Sequence, residues 1–120
     1  MIKKVRWVGS SREDLKEFPC EVTRSIGLAL FFAQLGDRHP AAKPLQGFGG
    51  AGVLEVVEEC RGNAYRAVYT VRFAKIVYVL HAFQKKSKRG IRTPMKEIEL
   101  VRRRLRQAEE DYRANPPRED

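Results

Sequence analysis

Between Val53 and Phe83 three strand-like runs follow one another: Val53–Cys60, Ala64–Arg72 and Lys75–Phe83. Each is dense in β-branched and aromatic residues, the composition that suits a pleated, half-buried surface. The connections are short. Gly62-Asn63 marks the first turn, and Phe73-Ala74 marks the second more weakly. Antiparallel strands can be joined by a tight turn, whereas a parallel pair needs a crossover of about a dozen residues or more. The spacing therefore predicts an antiparallel meander, and the remaining chain has to cover it.

The flanks supply helices for that purpose. Lys4–Val8 alternates as a short strand with Val5 and Trp7 on one face. Ser10-Ser11-Arg12-Glu13-Asp14 reads as a capping box opening a brief helix to about Glu17. Phe18-Pro19 breaks it and starts a second helix. There Val22, Ile26, Ala29, Leu30 and Ala33 recur at helical spacing, and Leu28, Phe31, Phe32 and Leu35 widen the apolar face up to Gly36. Asp37–Gly52 has the composition of a loop, anchored by Leu45 and Phe48. After the meander, Thr93-Pro94 pairs an N-cap with a first-turn proline. The helix they open runs to about Arg113 with Met95, Ile98, Val101, Leu105, Ala108 and Tyr112 on one stripe. The expected fold class is α+β: N-terminal helices packed on an antiparallel meander, then one C-terminal helix. A single domain is expected over residues 1–113, with a frayed tail over 114–120.

Charge then narrows the partners. The 120 residues carry a net +9. Between Gln84 and Arg106 ten Lys or Arg stand against Glu97 and Glu99, a local balance of +8. Such localisation points to a polyanion, nucleic acid before an acidic protein or a membrane surface. Cys20 and Cys60 are 40 residues apart with no CxxC, and two histidines are too few for a zinc site, so no metal and no cofactor are expected. Two buried free thiols in a reducing cytosol are the natural reading. The N-terminus lacks the apolar core of a signal peptide, and no window approaches the ~20 apolar residues of a membrane span. A cytoplasmic protein with no membrane association is expected.

The stretch LEVVEECRGNAYRAVYTVRFAKIVYVLHAFQKKSKRGIRTPMKEIELVRRRL resembles the phage-derived branch of the RelE/HigB toxin superfamily. A strand ending in HAFQKKS before a TP-started helix carries the resemblance, and HPAAKPLQGFGGAGVLEV upstream fits it too, so roughly residues 5 to 108 are covered. The resemblance implies a RelE-like microbial RNase fold and a type II toxin that cuts messenger RNA without metal, usually on the ribosome. It also implies a cognate antitoxin, often a helix-turn-helix protein of the HigA kind.

Under that resemblance Arg66 occupies the position of the superfamily's phosphate-binding arginine, and Lys85 that of another cation, with Lys86 beside it. Lys88 and Arg89, with Gln84 and Arg92, read as contacts to the RNA backbone. His81 has two readings. Its ordinary pKa of ~6.5 suits proton transfer, yet alternation with Val77, Val79 and Phe83 suits packing at the sheet margin. A turn centred on Phe73-Ala74 places Arg66 opposite His81 on one face. The chain departs from the best-known relatives in two respects. Its first meander strand bears Glu55, Glu58 and Glu59 where they have lysines, and Thr93-Pro94 begins a helix without the tyrosine that they carry near the chain end. Glu55 is either a base or an ion-pairing residue, which leaves the acid and base unassigned. The competing function is a non-catalytic RNA- or DNA-binding module using the basic face 84–106. Its stacking platform would require exposed aromatics, and Tyr65, Tyr69, Tyr78 and Phe83 read as core. A third reading is an interaction protein whose basic helix docks an acidic partner.

Overall fold

The computed structural model describes residues 2–50, 52–85 and 93–118. Eight elements follow in chain order: β1 (Lys4–Trp7), α1 (Ser11–Lys16), α2 (Cys20–Gln34), β2 (Ala42–Pro44), β3 (Val53–Cys60), β4 (Asn63–Thr70), β5 (Ile76–Lys85) and α3 (Met95–Ala114). They form one five-stranded sheet in the order β1-β5-β4-β3-β2, with α1 and α2 on one face and α3 on the other. The fold class is α+β, and β3, β4 and β5 are the antiparallel meander that the short connections require.

Two edge strands change the expected sheet. β1 joins the outer side of β5 in parallel, from Lys4 opposite Ile76 to Trp7 opposite Val79, so the sheet is mixed. β2 emerges from the segment read as loop and pairs antiparallel with β3. The first hairpin turns one residue early, on Arg61-Gly62 with φ of 52° and 81°. Positive φ at both central residues is the two-residue turn whose twist matches the flanking strands, and glycine takes the second position without strain. Leu45 is buried and Phe48 packs partly into the core, so the two anchors hold as expected.

α2 buries Val22, Ile26, Ala29, Leu30 and Ala33, the positions that the period picks out. It ends in a Schellman motif. Gly36, at φ 84°, donates to Ala33 O, and Asp37 donates to Phe32 O. Leu28, Phe31 and Leu35 are exposed because the helix buries one side only, and no element packs on the other among the described residues. In α3 the stripe Ile98, Val101, Leu105 and Ala108 is buried, but Met95, in the first turn, is exposed. Pro94, with φ −58° and ψ 149°, occupies the N-cap in place of Thr93, whose hydroxyl donates to Glu55. Ser10 caps α1 without a side-chain bond to the backbone; its hydroxyl donates to Asp14 Oδ2 instead. Both cysteines are free thiols, but Cys20 is exposed and Cys60 half-buried, not core as expected. No helix among the described residues is long and apolar enough to cross a membrane.

Candidate active site

The α3 face of the sheet holds the polar residues. Hydrogen-bonded register decides which side chains share that face, because a one-residue slip moves every one of them to the other side. Arg66 pairs with Phe83 and Val68 with His81, whereas Tyr69 pairs with Val79 and Thr70 with Tyr78. The ladder therefore slips by one at Val68/Tyr69, and Leu80 is the extra residue of a β-bulge. Before the bulge Ile76, Tyr78 and Leu80 face α3, and after it His81 and Phe83 do. His81 thus shares its face with Phe83, as expected, but not with Val77 and Val79, which pack under α2. Without the bulge Arg66 would lie opposite Ala82, and His81 would point to the far side.

Arg66 projects from the middle strand of the sheet and is only 3% exposed. It is therefore neither a solvated strand arginine nor a floating cation. Its Nη1 donates to Glu55 Oε1 at 3.3 Å and Oε2 at 3.4 Å, and to Thr93 Oγ1 at 3.2 Å. The Thr93 hydroxyl donates in turn to Glu55 Oε2 at 2.6 Å, which closes a three-member cluster. Glu55 stands on β3 two pairs along from Arg66, on the same face, since Glu55 pairs with Val68 and Val57 with Arg66. A buried charge requires an opposite charge and further hydrogen bonds. Glu55 and Thr93 supply both.

His81 is 6% exposed and engaged at both ring nitrogens. Arg104 Nη1 lies 3.4 Å from Nδ1, and Glu97 Oε2 lies 2.8 Å from Nε2. A guanidinium only donates, so Nδ1 accepts and Nε2–H donates to Glu97. Burial lowers the His81 pKa below its ordinary value, and the Glu97 hydrogen bond opposes this only in part. The neutral imidazole, stacked on Phe83 at 4.7 Å, fixes the start of α3 to β5. Arg104 also donates to Leu80 O at 3.0 Å and to Ser10 Oγ at 3.1 Å, so it ties α3 to the bulge and to the start of α1. Burial lowers its pKa too. At the other end of α3, Tyr78 donates to Asp111 Oδ2 at 2.6 Å, and Arg6 to the same oxygen at 2.7 Å. These bonds hold Asp111 below the usual carboxylate range, and burial pushes Tyr78 up to about 12.

Of the residues singled out from sequence, the register places Lys85 on Arg66's face, opposite Ala64. Gln84 pairs with Tyr65 and faces the other way, so it is not part of this cluster. Lys86, Lys88, Arg89 and Arg92 lie outside the described residues. Sequence reasoning missed Glu97, Arg104 and Thr93 as site residues. Glu97 and Arg104 are two helical turns apart, flanking the apolar stripe of α3, and that i, i+7 spacing was the available signal. Among the described residues no group of three or more His, Cys, Asp or Glu is gathered to hold a metal ion.

With this geometry in place, comparison with known proteins locates the chain. The family described as Phage derived protein Gp49-like matches residues 13–106. The chain belongs to that family. Among solved structures, this Gp49-like chain resembles an arginine-to-alanine double mutant of Escherichia coli toxin RelE in the free state. The TM-score is 0.57 at 16% identity, over 89% of this chain and 98% of the other. A second similar structure is the toxin–antitoxin complex RelBE2 of Mycobacterium tuberculosis, at a TM-score of 0.42 and 25% identity over 72% and 95% of the two chains. No curated protein matches. The Gp49-like chain thus has the RelE fold.

Proposed function

We propose that this Gp49-like protein is the toxin of a type II toxin–antitoxin pair and that it cuts messenger RNA on the ribosome. The reading is carried by one observation: a guanidinium on a central strand with a carboxylate and a hydroxyl within 3.4 Å. RNA cleavage by transesterification needs those groups. The 2′-oxygen attacks phosphorus while the bond from phosphorus to the 5′-oxygen breaks, leaving a 2′,3′-cyclic phosphate and a 5′-hydroxyl. Arg66 stabilises the charge that accumulates on the non-bridging oxygens. Glu55 accepts the 2′-hydroxyl proton, and Lys85, on the same face, delivers a proton to the departing 5′-oxygen. A phosphate reaching Arg66 Nη1 takes over contacts that Glu55 and Thr93 now make. His81 is a positioning residue, because neither of its nitrogens is available to substrate. The cationic segment from Lys86 to Arg92 adds affinity for the RNA backbone, and a helix-turn-helix antitoxin of the HigA kind restrains the toxin.

A non-catalytic RNA-binding module finds less support, since Tyr65, Tyr69 and Tyr78 are buried and offer no base a stacking surface. The deciding experiment is single-turnover cleavage of messenger RNA on programmed ribosomes with enzyme in excess. Arg66→Ala is expected to slow cleavage roughly a hundredfold or more while ribosome binding changes little. Circular dichroism checks the fold, because the substitution leaves Glu55 buried without its cation. Cleavage at the parental rate would remove Arg66 from the mechanism, and intact bound RNA would favour the binding module.

A further inference from the structure

The outward side of α2 breaks the usual pattern of a surface helix. Leu28, Phe31 and Leu35 are between 44 and 48% exposed, although they belong to a helix that already buries a full apolar face. Spaced three and four residues apart, they form one continuous stripe. Gly27 borders the stripe, and nothing lies within 4 Å of where its Cβ would stand, so a partner's backbone can approach closely. The N-terminal segment extends this surface. Lys3 N–H donates to Gln34 O at 3.0 Å and Lys3 O accepts from Gln34 Nε2 at 2.7 Å, which brings Ile2, 53% exposed, to the same end of the helix. Immediately beyond Leu35 opens a cavity of about 460 Å³ with Ala33, Leu54 and Val71 in its wall. Lys3, Arg38 and Asp37 supply its charged lining.

We propose that the stripe and the cavity together form the docking surface for a partner protein presenting an amphipathic helix with an acidic flank. Apolar side chains of that helix lie along Leu28, Phe31 and Leu35, one of them enters the cavity, and its acids meet Lys3, Arg38 and Arg24, which is exposed on α2 one turn before Leu28. The occupant's chemistry follows from charge. A second copy of this chain, docked through the same patch, would set a surface on which Lys3, Arg24 and Arg38 outnumber Asp37 against its own like, with +9 on each molecule. Nucleic acid gains nothing from three apolar side chains. The partner is the antitoxin, and its identification rests on the reading proposed above. Docking on α2 leaves Arg66, on the opposite face of the sheet, uncovered.

The test uses the full chain and the product of the adjacent reading frame, with affinity measured by calorimetry at low and at physiological salt. Phe31→Glu combined with Leu35→Glu is expected to weaken binding by roughly thirtyfold or more. Lys3→Ala combined with Arg38→Ala should weaken it severalfold, with the difference shrinking as salt rises. The glutamate pair alters exposed positions, whereas Lys3 is half-buried and Arg38 donates to Ala42 O, so thermal unfolding verifies that the fold persists in each variant. Amide exchange in the complex should show new protection over residues 27–38. Unchanged affinity in the glutamate pair, with no protection on α2, overturns the docking surface while the antitoxin reading stands, since the partner still binds. If the adjacent product does not bind the parental chain, both fall. If the chain alone is a dimer that the glutamate pair splits, a second copy is the occupant and the proposal is wrong.

Discussion

The two faces of the sheet are built on opposite principles. Under α1 and α2 the side chains are apolar almost without exception: Leu54, Val56, Tyr65, Ala67, Tyr69, Val77, Val79 and Ala82. Under α3, Val68 and Leu80 share space with Arg66, Thr70 and His81, three of the four buried polar residues described. One face is packed as a core. The other places a charged cluster where a core would be more stable, since burying an ion pair seldom adds net stability over apolar packing. The difference indicates that the α2 face secures the fold, while on the function proposed above the α3 face carries the chemistry.

The strongest attempt to break that contrast is Arg66→Met. Leaving the Glu55 carboxylate, 13% exposed, without its cation should cost up to about 3–5 kcal/mol, read by urea unfolding. Adding Glu55→Leu should return most of that stability while cleavage stays lost. If the double variant is as unstable as the single one, the ion pair is structural after all. Next in size is Ile26→Ala, which opens a cavity on the apolar face and should cost about 2–4 kcal/mol. Cleavage per folded molecule should be unchanged; a proportional loss of chemistry would mean that the faces are coupled.

His81 sharpens the comparison through pH. Its folded pKa lies below the unfolded ~6.5, so the unfolded chain binds more protons as pH falls through that value. Stability is then full above pH ~6.5 and declines below it, by up to about 1.4 kcal/mol per pH unit. His81→Gln should flatten the unfolding midpoint between pH 6.5 and 5; an undiminished slope would assign the effect to other groups. The smallest expected effect is Tyr69→Phe on the apolar face. The Tyr69 hydroxyl is buried with no hydrogen-bond partner among the described residues, and burial pushes its pKa up to about 12. Removing it should leave stability unchanged or raise it by up to about 1 kcal/mol. A clear loss would reveal a partner for that oxygen, which thermal unfolding of the variant would detect.

The apolar face was readable from the residues alone because one constraint governs it. Val22, Ile26, Ala29, Leu30 and Ala33 must face one way along any helix, and they do. The parallel edge strand was not readable, because the pairing of Lys4 with Ile76 spans most of the chain and no local pattern records it. The burial of Arg66 was hidden for a similar reason. Its partners Glu55 and Thr93 stand on different elements, and only tertiary packing joins them. The resemblance singled out Arg66 but not its surroundings. His81 shows the limit of period-two reasoning: Ile76 to Leu80 is buried on both faces of the sheet, so alternation in polarity cannot reveal which way each residue points.

The extra residue at Leu80 also bears on how this hairpin tolerates change in length. Arg66 and His81 share a face only because one residue too many lies between the turn and the histidine. That residue is stored in the strand. It would do the same for the facing if it were moved into the turn at 71–75, with the ladder running unbroken to Val68 and His81. Relatives are therefore free to exchange a longer turn for a straight strand, or a shorter turn for a bulge. What must be preserved is the parity of the whole connection, so single insertions and deletions there are expected to occur in compensating pairs. A lone one-residue change would turn everything after it, His81, Phe83 and Lys85 together, toward α2.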